Sequence, residues 1–186
     1  MEIVNDVVDA ILDNIKNAKE YLDEDSLNEF EDVLIQSEKI YLDGVGRSGL
    51  VAKSFAMRLT HLGLKTYVVG ETVAPPIKEK DCIVSISGSG ETGTIVSGAN
   101  IAKNRGSKVL AITSYPDSTL GQMADVVITV KGRTRKEEDD ENYMKRQIRG
   151  NFTSLTPLGT VFELTALVFL DAIISEMKEK ISGNYY

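Results

Sequence analysis

A single cysteine, a single histidine and no tryptophan occur in the 186 residues. Cys82 has no second cysteine to pair with, which excludes an intramolecular disulfide and a cysteine-rich zinc site and predicts a reducing compartment. His61 has no second histidine, so the usual zinc ligand sets cannot be assembled and no metal is expected. Long apolar runs are missing too: none approaches the roughly 20 residues needed to cross a bilayer. Met1 leads into an acidic amphipathic segment, not into a basic region and an apolar stretch. A cytoplasmic protein without a membrane span is the expectation. Positive charge is scarce, with 21 Lys plus Arg against 28 Asp plus Glu and a net charge of −7. Broad binding of nucleic acid or anionic membrane requires clustered cations and is excluded, which leaves room only for a local cationic pocket.

What is present suits one globular domain, since the length matches the usual domain size and 42% hydrophobic residues suffice for a core. Val4, Val7, Val8, Ile11, Ile15, Ala18 and Leu22 fall on one helical face and predict a docking helix. Ser26 and Glu29 have the spacing of a capping box and predict a second helix from there. Strands are expected at 39–43, 65–69, 81–87, 108–113 and 125–130, with helices to about Leu62 before Gly63, over 92–105, near 118–123, and from Val161 to about Ile181. Ile83-Val-Ser-Ile86 and Val109-Leu-Ala-Ile112 are nearly continuous apolar runs, as parallel strands covered on both faces require. The predicted fold is α/β: a three-layer αβα sandwich around a doubly wound, five-stranded parallel sheet. Its expected organisation is N-terminal helices over 1–36, an α/β core over 37–130, a charged loop over 131–157 and a C-terminal helix over 158–182. The apolar first and last helices offer more hydrophobic surface than one small sheet needs, which predicts a homodimer or a dimer of dimers, that is, a homotetramer.

Two glycine-rich loops follow strands and open helices, where free N–H groups and the helix dipole favour an anion. The first, Gly44-Val-Gly-Arg-Ser-Gly49, has the spacing of a dinucleotide fingerprint but lacks the acidic residue at the end of the next strand, where Val68 and Val69 stand. The Walker lysine pattern is also absent. The second, Ser87-Gly-Ser-Gly-Glu-Thr92, offers the hydroxyls of Ser87, Ser89 and Thr92 on a turn whose glycines, Gly88 and Gly90, admit a ligand close to the backbone. A cradle for one phosphate monoester is expected there, against the plainer reading of a tight turn capped by Thr92.

Gly44-Val-Gly-Arg-Ser-Gly49, Phe55-Ala-Met-Arg-Leu59 with His61-Leu-Gly63, Val69-Gly-Glu-Thr72, Ser87-Gly-Ser-Gly-Glu-Thr92 and Pro157-Leu-Gly-Thr-Val-Phe-Glu163 together resemble the sugar isomerase (SIS) domain family. The His61 and Phe162-Glu163 blocks resemble its 6-phospho-3-hexuloisomerase branch. That resemblance implies a five-stranded parallel sheet between helices, an oligomer with sites at subunit interfaces, and cofactor-free interconversion of 3-hexulose 6-phosphate and fructose 6-phosphate through an enediol. It also implies a place in the ribulose monophosphate pathway and functional coupling to a hexulose-phosphate synthase. This sequence departs from the family's pattern at Leu158, where many hexuloisomerases have Met, in its long charged segment, and in carrying no extended histidine-bearing tail. The alternatives are a non-catalytic sugar-phosphate sensor and an isomerase of another ketose phosphate.

Moving a carbonyl between C3 and C2 requires a base for the C2 proton, donors for the enediolate oxygens and a proton return to C3. Glu163, between Phe162 and Leu164 near the start of an apolar helix, suits a carboxylate acting as base and then acid. As a first-turn residue it equally suits the helix dipole; the family's Gly-Thr-x-Phe-Glu motif implies the catalytic role. His61 reads either as a polar cap suited to a helix C-terminus or as a proton shuttle reaching a neighbouring subunit's site. Ser48 is expected to contact a sugar hydroxyl or carbonyl, and Arg47 to stabilise enediolate charge or hold a carboxylate. Ser87, Gly88, Ser89, Gly90, Glu91 and Thr92 form the expected phosphate loop, with Glu91 facing away from the dianion and ordering the loop. Glu71 and Thr72 are expected to line the cleft, and Arg58 reads as an interface salt-bridge partner.

Overall fold

Apolar residues at every position of a strand leave no face for water, so such strands must lie inside a sheet covered on both sides. A computed structural model of the protein describes residues 2–132 and 158–183, and nearly all of the expected charged loop lies outside the described residues. Five strands form one sheet: β1 (Ile40–Gly44), β2 (Thr66–Val68), β3 (Cys82–Ile86), β4 (Lys108–Thr113) and β5 (Val126–Thr129). They are parallel throughout, in the order β2-β1-β3-β4-β5. The helices are α1 (Glu2–Ala18), α2 (Glu24–Gln36), α3 (Arg47–His61), α4 (Gly93–Asn104), α5 (Thr119–Met123) and α6 (Leu158–Gly183).

Alternation along each strand divides the core in two. Ile40, Leu42, Cys82, Val84, Ile86, Leu110 and Ile112 pack with Phe30 and Leu34 of α2, Val51, Phe55 and Leu59 of α3, and Phe162, Ala166 and Leu170 of α6. Tyr41, Ile83, Val109 and Ala111 meet Ile95, Ala99 and Ala102 of α4 and Leu120 of α5 on the other face. The expected αβα sandwich is therefore present, and every β-to-α loop opens at the carboxyl edge. Helix α1 lies against α6, where Asn14 Nδ2 donates to Thr165 Oγ1 at 3.0 Å. Its Ile3, Val4, Val8 and Leu12 remain exposed.

One expected cap is wrong. The start of α2 is capped by Asp23, whose carboxylate accepts from Ser26 N at 2.9 Å and Ser26 Oγ at 2.6 Å. Ser26 is thus inside the helix, and its own N–H is the first-turn donor that the carboxylate three residues earlier satisfies. At the end of α3 the chain turns as anticipated, with Leu62 N donating to Arg58 O and Gly63 at φ +86°.

Helices α2 and α6 share a charge pair beneath their surface. The side chain of Glu31 is fully buried, and Lys180 Nζ stands 2.5 Å from its Oε2 and 2.8 Å from Asn28 Oδ1. Burial pushes the Glu31 carboxyl up, and the lysine opposes that shift. Removing one partner of such a pair leaves an uncompensated buried charge. Lys180→Met is expected to lower stability by about 3 kcal/mol, or roughly 6–12 °C in Tm for a chain of this length. Adding Glu31→Leu should recover most of the loss, whereas an unchanged Tm in the single variant would show that the pair does not hold α6.

Candidate active site

The chain leaves β1 towards β2 on one side, while β3 continues the sheet on the other, so the crevice of this fold opens between the carboxyl ends of β1 and β3. Both glycine-rich loops border it. In the first, a Cβ on Gly44 would come 2.7 Å from Ser48 O, so the first turn of α3 folds directly over the strand end. This close approach sets Arg47 and Ser48 at the mouth of the crevice, the serine buried and the arginine exposed.

The second loop is held by its own hydroxyls. Gly90 N donates to Ser87 O and Ser87 Oγ, both at 3.1 Å, Ser87 Oγ lies 3.1 Å from Thr92 Oγ1, and Glu91 N donates to Ser89 Oγ at 3.2 Å. Gly90 adopts φ +67°, and a Cβ there would collide with Ser118 Oγ, so no other residue fits the turn. Thr92 occupies the N-cap position of α4 but makes no side-chain cap bond. Its hydroxyl stays on the loop, and the N–H groups of the first turn of α4, from Gly93 to Ile95, point out of the helix end. Glu91 turns away from this cradle: its carboxylate accepts from Thr119 N and Thr119 Oγ1, both at 2.7 Å, tying the loop to α5. The carboxylate therefore braces the Ser87–Thr92 loop from the α5 side and points away from its hydroxyls.

Helix α6 brings a third segment to the crevice. Glu163 Oε1 lies 3.5 Å from Ser48 Oγ, and its Oε2 lies 3.6 Å from Arg47 Nε. The glutamate is only 14% exposed and the arginine 57%, so a mostly desolvated carboxylate sits beneath a solvent-facing guanidinium. Phe162, one residue earlier, packs its ring against Gly88 of the second loop. Base candidate, cation, hydroxyl and anion cradle thus surround one crevice, an arrangement suited to moving a proton on a phosphorylated carbonyl compound.

His61 does not join them. It is the exposed last residue of α3, thirteen residues beyond Ser48, a span of about 20 Å at 1.5 Å per residue. Arg58 pairs with Asp171 of α6 at 3.7 Å within the chain. Glu71 is exposed and pairs with Lys53 at 2.7 Å, so its carboxylate is engaged with the flank of α3. Among the described residues no group of three or more His, Cys, Asp and Glu side chains could hold a metal ion.

Asp43, at the end of β1, escaped the sequence reading. It is 7% exposed, on the α4 side of the sheet, and its Oδ2 occupies the space where a Cβ on Gly98 would stand. Burial pushes its carboxyl up to about 6, against a smaller opposing effect of the Gly44 backbone N–H. Its register partner Ser85 is wholly buried, with no hydrogen-bond partner for its hydroxyl among the described residues. The available signal was an acidic residue ending an apolar strand just before a glycine loop.

Residues 33–143 match the model of the SIS domain. The chain belongs to the SIS domain family. It is 38% identical to a 3-hexulose-6-phosphate isomerase of Bacillus subtilis, over 93% of this chain and 88% of that one. It is 33% identical to one of Methylomonas aminofaciens, over 94% of this chain and 87% of that protein. A crystal structure of a hypothetical protein from Methanococcus jannaschii, for which the function of 3-hexulose-6-phosphate isomerase was inferred, superposes with a TM-score of 0.74 at 32% identity, covering 98% of this chain and 92% of that one.

The buried Asp43 predicts a pH dependence of stability. Unfolded, the carboxyl ionises near 3.8, whereas in the fold it keeps its proton to about 6. The folded state binds more protons between those values, so the favourable state is complete below the lower one and stability falls as pH rises through the upper. The loss amounts to about 3 kcal/mol at most, taking 1.36 kcal/mol per pH unit. Asp43→Asn should flatten this slope and be the more stable protein at pH 8. Urea unfolding at pH 4.5 and pH 8 checks it, and parallel profiles for both proteins would contradict the assignment.

Proposed function

We propose that this chain is a 3-hexulose-6-phosphate isomerase, converting 3-hexulose 6-phosphate and fructose 6-phosphate into one another. The observation that carries the reading is the meeting of Glu163, Ser48 and Arg47 beside the hydroxyl loop, in a chain whose relatives of that name align over most of its length. The phosphate is seated on Ser87, Gly88, Ser89, Gly90 and Thr92 and the open turn of α4, with Glu91 bracing the loop from behind. Glu163 takes the proton from C2 of the 3-ketose, and the electron pair moves to give the C2–C3 enediolate. Arg47 and Ser48 meet its oxygens, whose negative charge is greatest at this stage. The same carboxyl group returns the proton to C3, while one hydroxyl proton passes from O2 to O3. No electrons leave the sugar, so no redox cofactor enters the balance.

His61 acts in trans in this reading. Leu50, Met57 and His61 share one exposed face of α3 by their seven- and four-residue spacing, and α1 exposes its own apolar row. Burying those faces in a homodimer or dimer of dimers carries His61 towards a neighbouring site, where it shuttles the hydroxyl proton. The protein acts in the cytoplasm, in the ribulose monophosphate pathway beside a synthase that shares the 3-hexulose phosphate; no described helix is long and apolar enough to cross a membrane.

Fructose 6-phosphate incubated with the protein and a chelator in deuterated water should acquire deuterium at C3 and yield the 3-ketose, followed by carbon NMR. Glu163→Gln is expected to lower turnover about 10²–10⁴-fold while fructose 6-phosphate still binds. Full turnover in that variant would remove Glu163 from the mechanism. Binding without exchange by the wild-type protein would establish a sensor instead.

A further inference from the structure

Phe162 is 1% exposed and belongs to the core of the α3 and α6 face. Its ring, however, meets the backbone of the phosphate loop: a Cβ on Gly88 would lie 3.0 Å from its Cδ1, 3.1 Å from Cγ and 3.4 Å from Cε1. A side chain there would press on the ring more tightly than ordinary van der Waals contact allows and push it back by a few tenths of an ångström. On its other side the backbone of Phe162 is pressed onto the chain leaving β5, since a Cβ on Gly132 would stand 2.6 Å from Phe162 N and 2.7 Å from its Cα. The start of α6 is therefore gripped between the phosphate loop and the end of β5. Gly88 is itself fixed from beneath, its carbonyl oxygen accepting from Ser114 N at 3.2 Å. One peptide beyond Phe162, Glu163 reaches the opposite loop, where Ser48 and Arg47 stand.

A core aromatic needs only volume to fill. This ring also touches the loop that would hold the phosphate, and its backbone continues directly into the residue that would move the proton. We propose that Phe162 is a positioning residue that couples the phosphate loop to the base: the seating of Gly88 against the ring sets where the Glu163 carboxylate stands relative to Ser48 and Arg47. The proposal rests on the isomerase reading for its kinetic consequences but not for the coupling itself. A phosphate on the Ser87–Thr92 loop then acts on the reacting carbons through the protein as well as through the sugar. Gly88 is required less for the turn than for the ring that lies on it.

The test is a double-variant cycle on the full chain. Gly88→Ala puts a methyl group 3.0 Å from the ring, which must give by a few tenths of an ångström, and should lower kcat by about 3–10-fold, a fraction of the roughly 10²-fold that a 1 Å misplacement costs. Phe162→Leu should lower kcat with KM and fructose 6-phosphate affinity changed less than about threefold, and Phe162→Met should restore part of the loss. The leucine leaves room for the added methyl, so Gly88→Ala with Phe162→Leu should be faster than Gly88→Ala alone, a non-additive result. A readout independent of turnover is the Glu163 carboxyl carbon resonance in glutamate-labelled protein, assigned with Glu163→Gln. Inorganic phosphate should shift it in the wild-type protein and not in Phe162→Leu. Multiplicative kinetic effects together with an equal phosphate-induced shift in both proteins would overturn the coupling. A wild-type protein that shows the phosphate-induced shift but no isomerisation would overturn the isomerase reading and leave the coupling standing.

Discussion

All five described strands are parallel, so each one that leads to another must be followed by a segment that returns across the sheet. That constraint governs the rest. It places all strand-to-helix loops at one edge, and the reversal between β1 and β3 parts two of them to form a crevice. The loops there need to be glycine-rich because a helix must begin within a few residues of the strand end, as the contact between Gly44 and Ser48 O shows. Helix α6 then closes the crevice from the third side, since its apolar face has nowhere to lie but on the sheet beside α3.

The electrostatics of the site follow from a chain with a net charge of −7. The Ser87–Thr92 loop contains no cation. In the proposed reading a dianion is met there by hydroxyls and by the open first turn of α4, groups that are neutral and fixed before any ligand arrives. The one acidic side chain in that loop, Glu91, is bound to Thr119 and so keeps its charge off the cradle. Arg47 stands elsewhere, beside Glu163, which the proposed mechanism makes the reacting end, where negative charge is transient. In the proposed reading, phosphate recognition and charge stabilisation fall to different loops, with Phe162 as the proposed link between them.

Much of this was legible in the residues. The strand at 108–113 is observed with those bounds, and the other strands differ by one residue at each end, because apolar runs between charged or glycine residues have few other interpretations. The start of α2 was misplaced since Ser26 and Glu29 fit a local pattern, while Asp23, an equally good cap residue three positions earlier, takes the N-cap. The approach of Glu163 to Ser48 spans 115 residues of sequence and no local rule reaches that far; only the likeness to a known family suggested it. The same likeness grouped His61 with the site, and the length of α3 separates them within one chain. Asp43 was passed over because what makes it unusual is the missing side chain of Gly98 on α4, a fact of packing and not of pattern.

The central claim is that one ligand spans both loops, with its phosphate on the Ser87–Thr92 turn and its reacting carbons at residue 163. A crystal structure of the Glu163→Gln variant with fructose 6-phosphate tests this most directly, since the substitution keeps the sugar unreacted. The account predicts phosphate oxygens within about 3 Å of the loop hydroxyls and N–H groups, and C2 or C3 within about 3.5 Å of the side chain at position 163. A phosphate bound away from that turn, or a sugar whose C2 and C3 lie beyond reach of position 163, would contradict it.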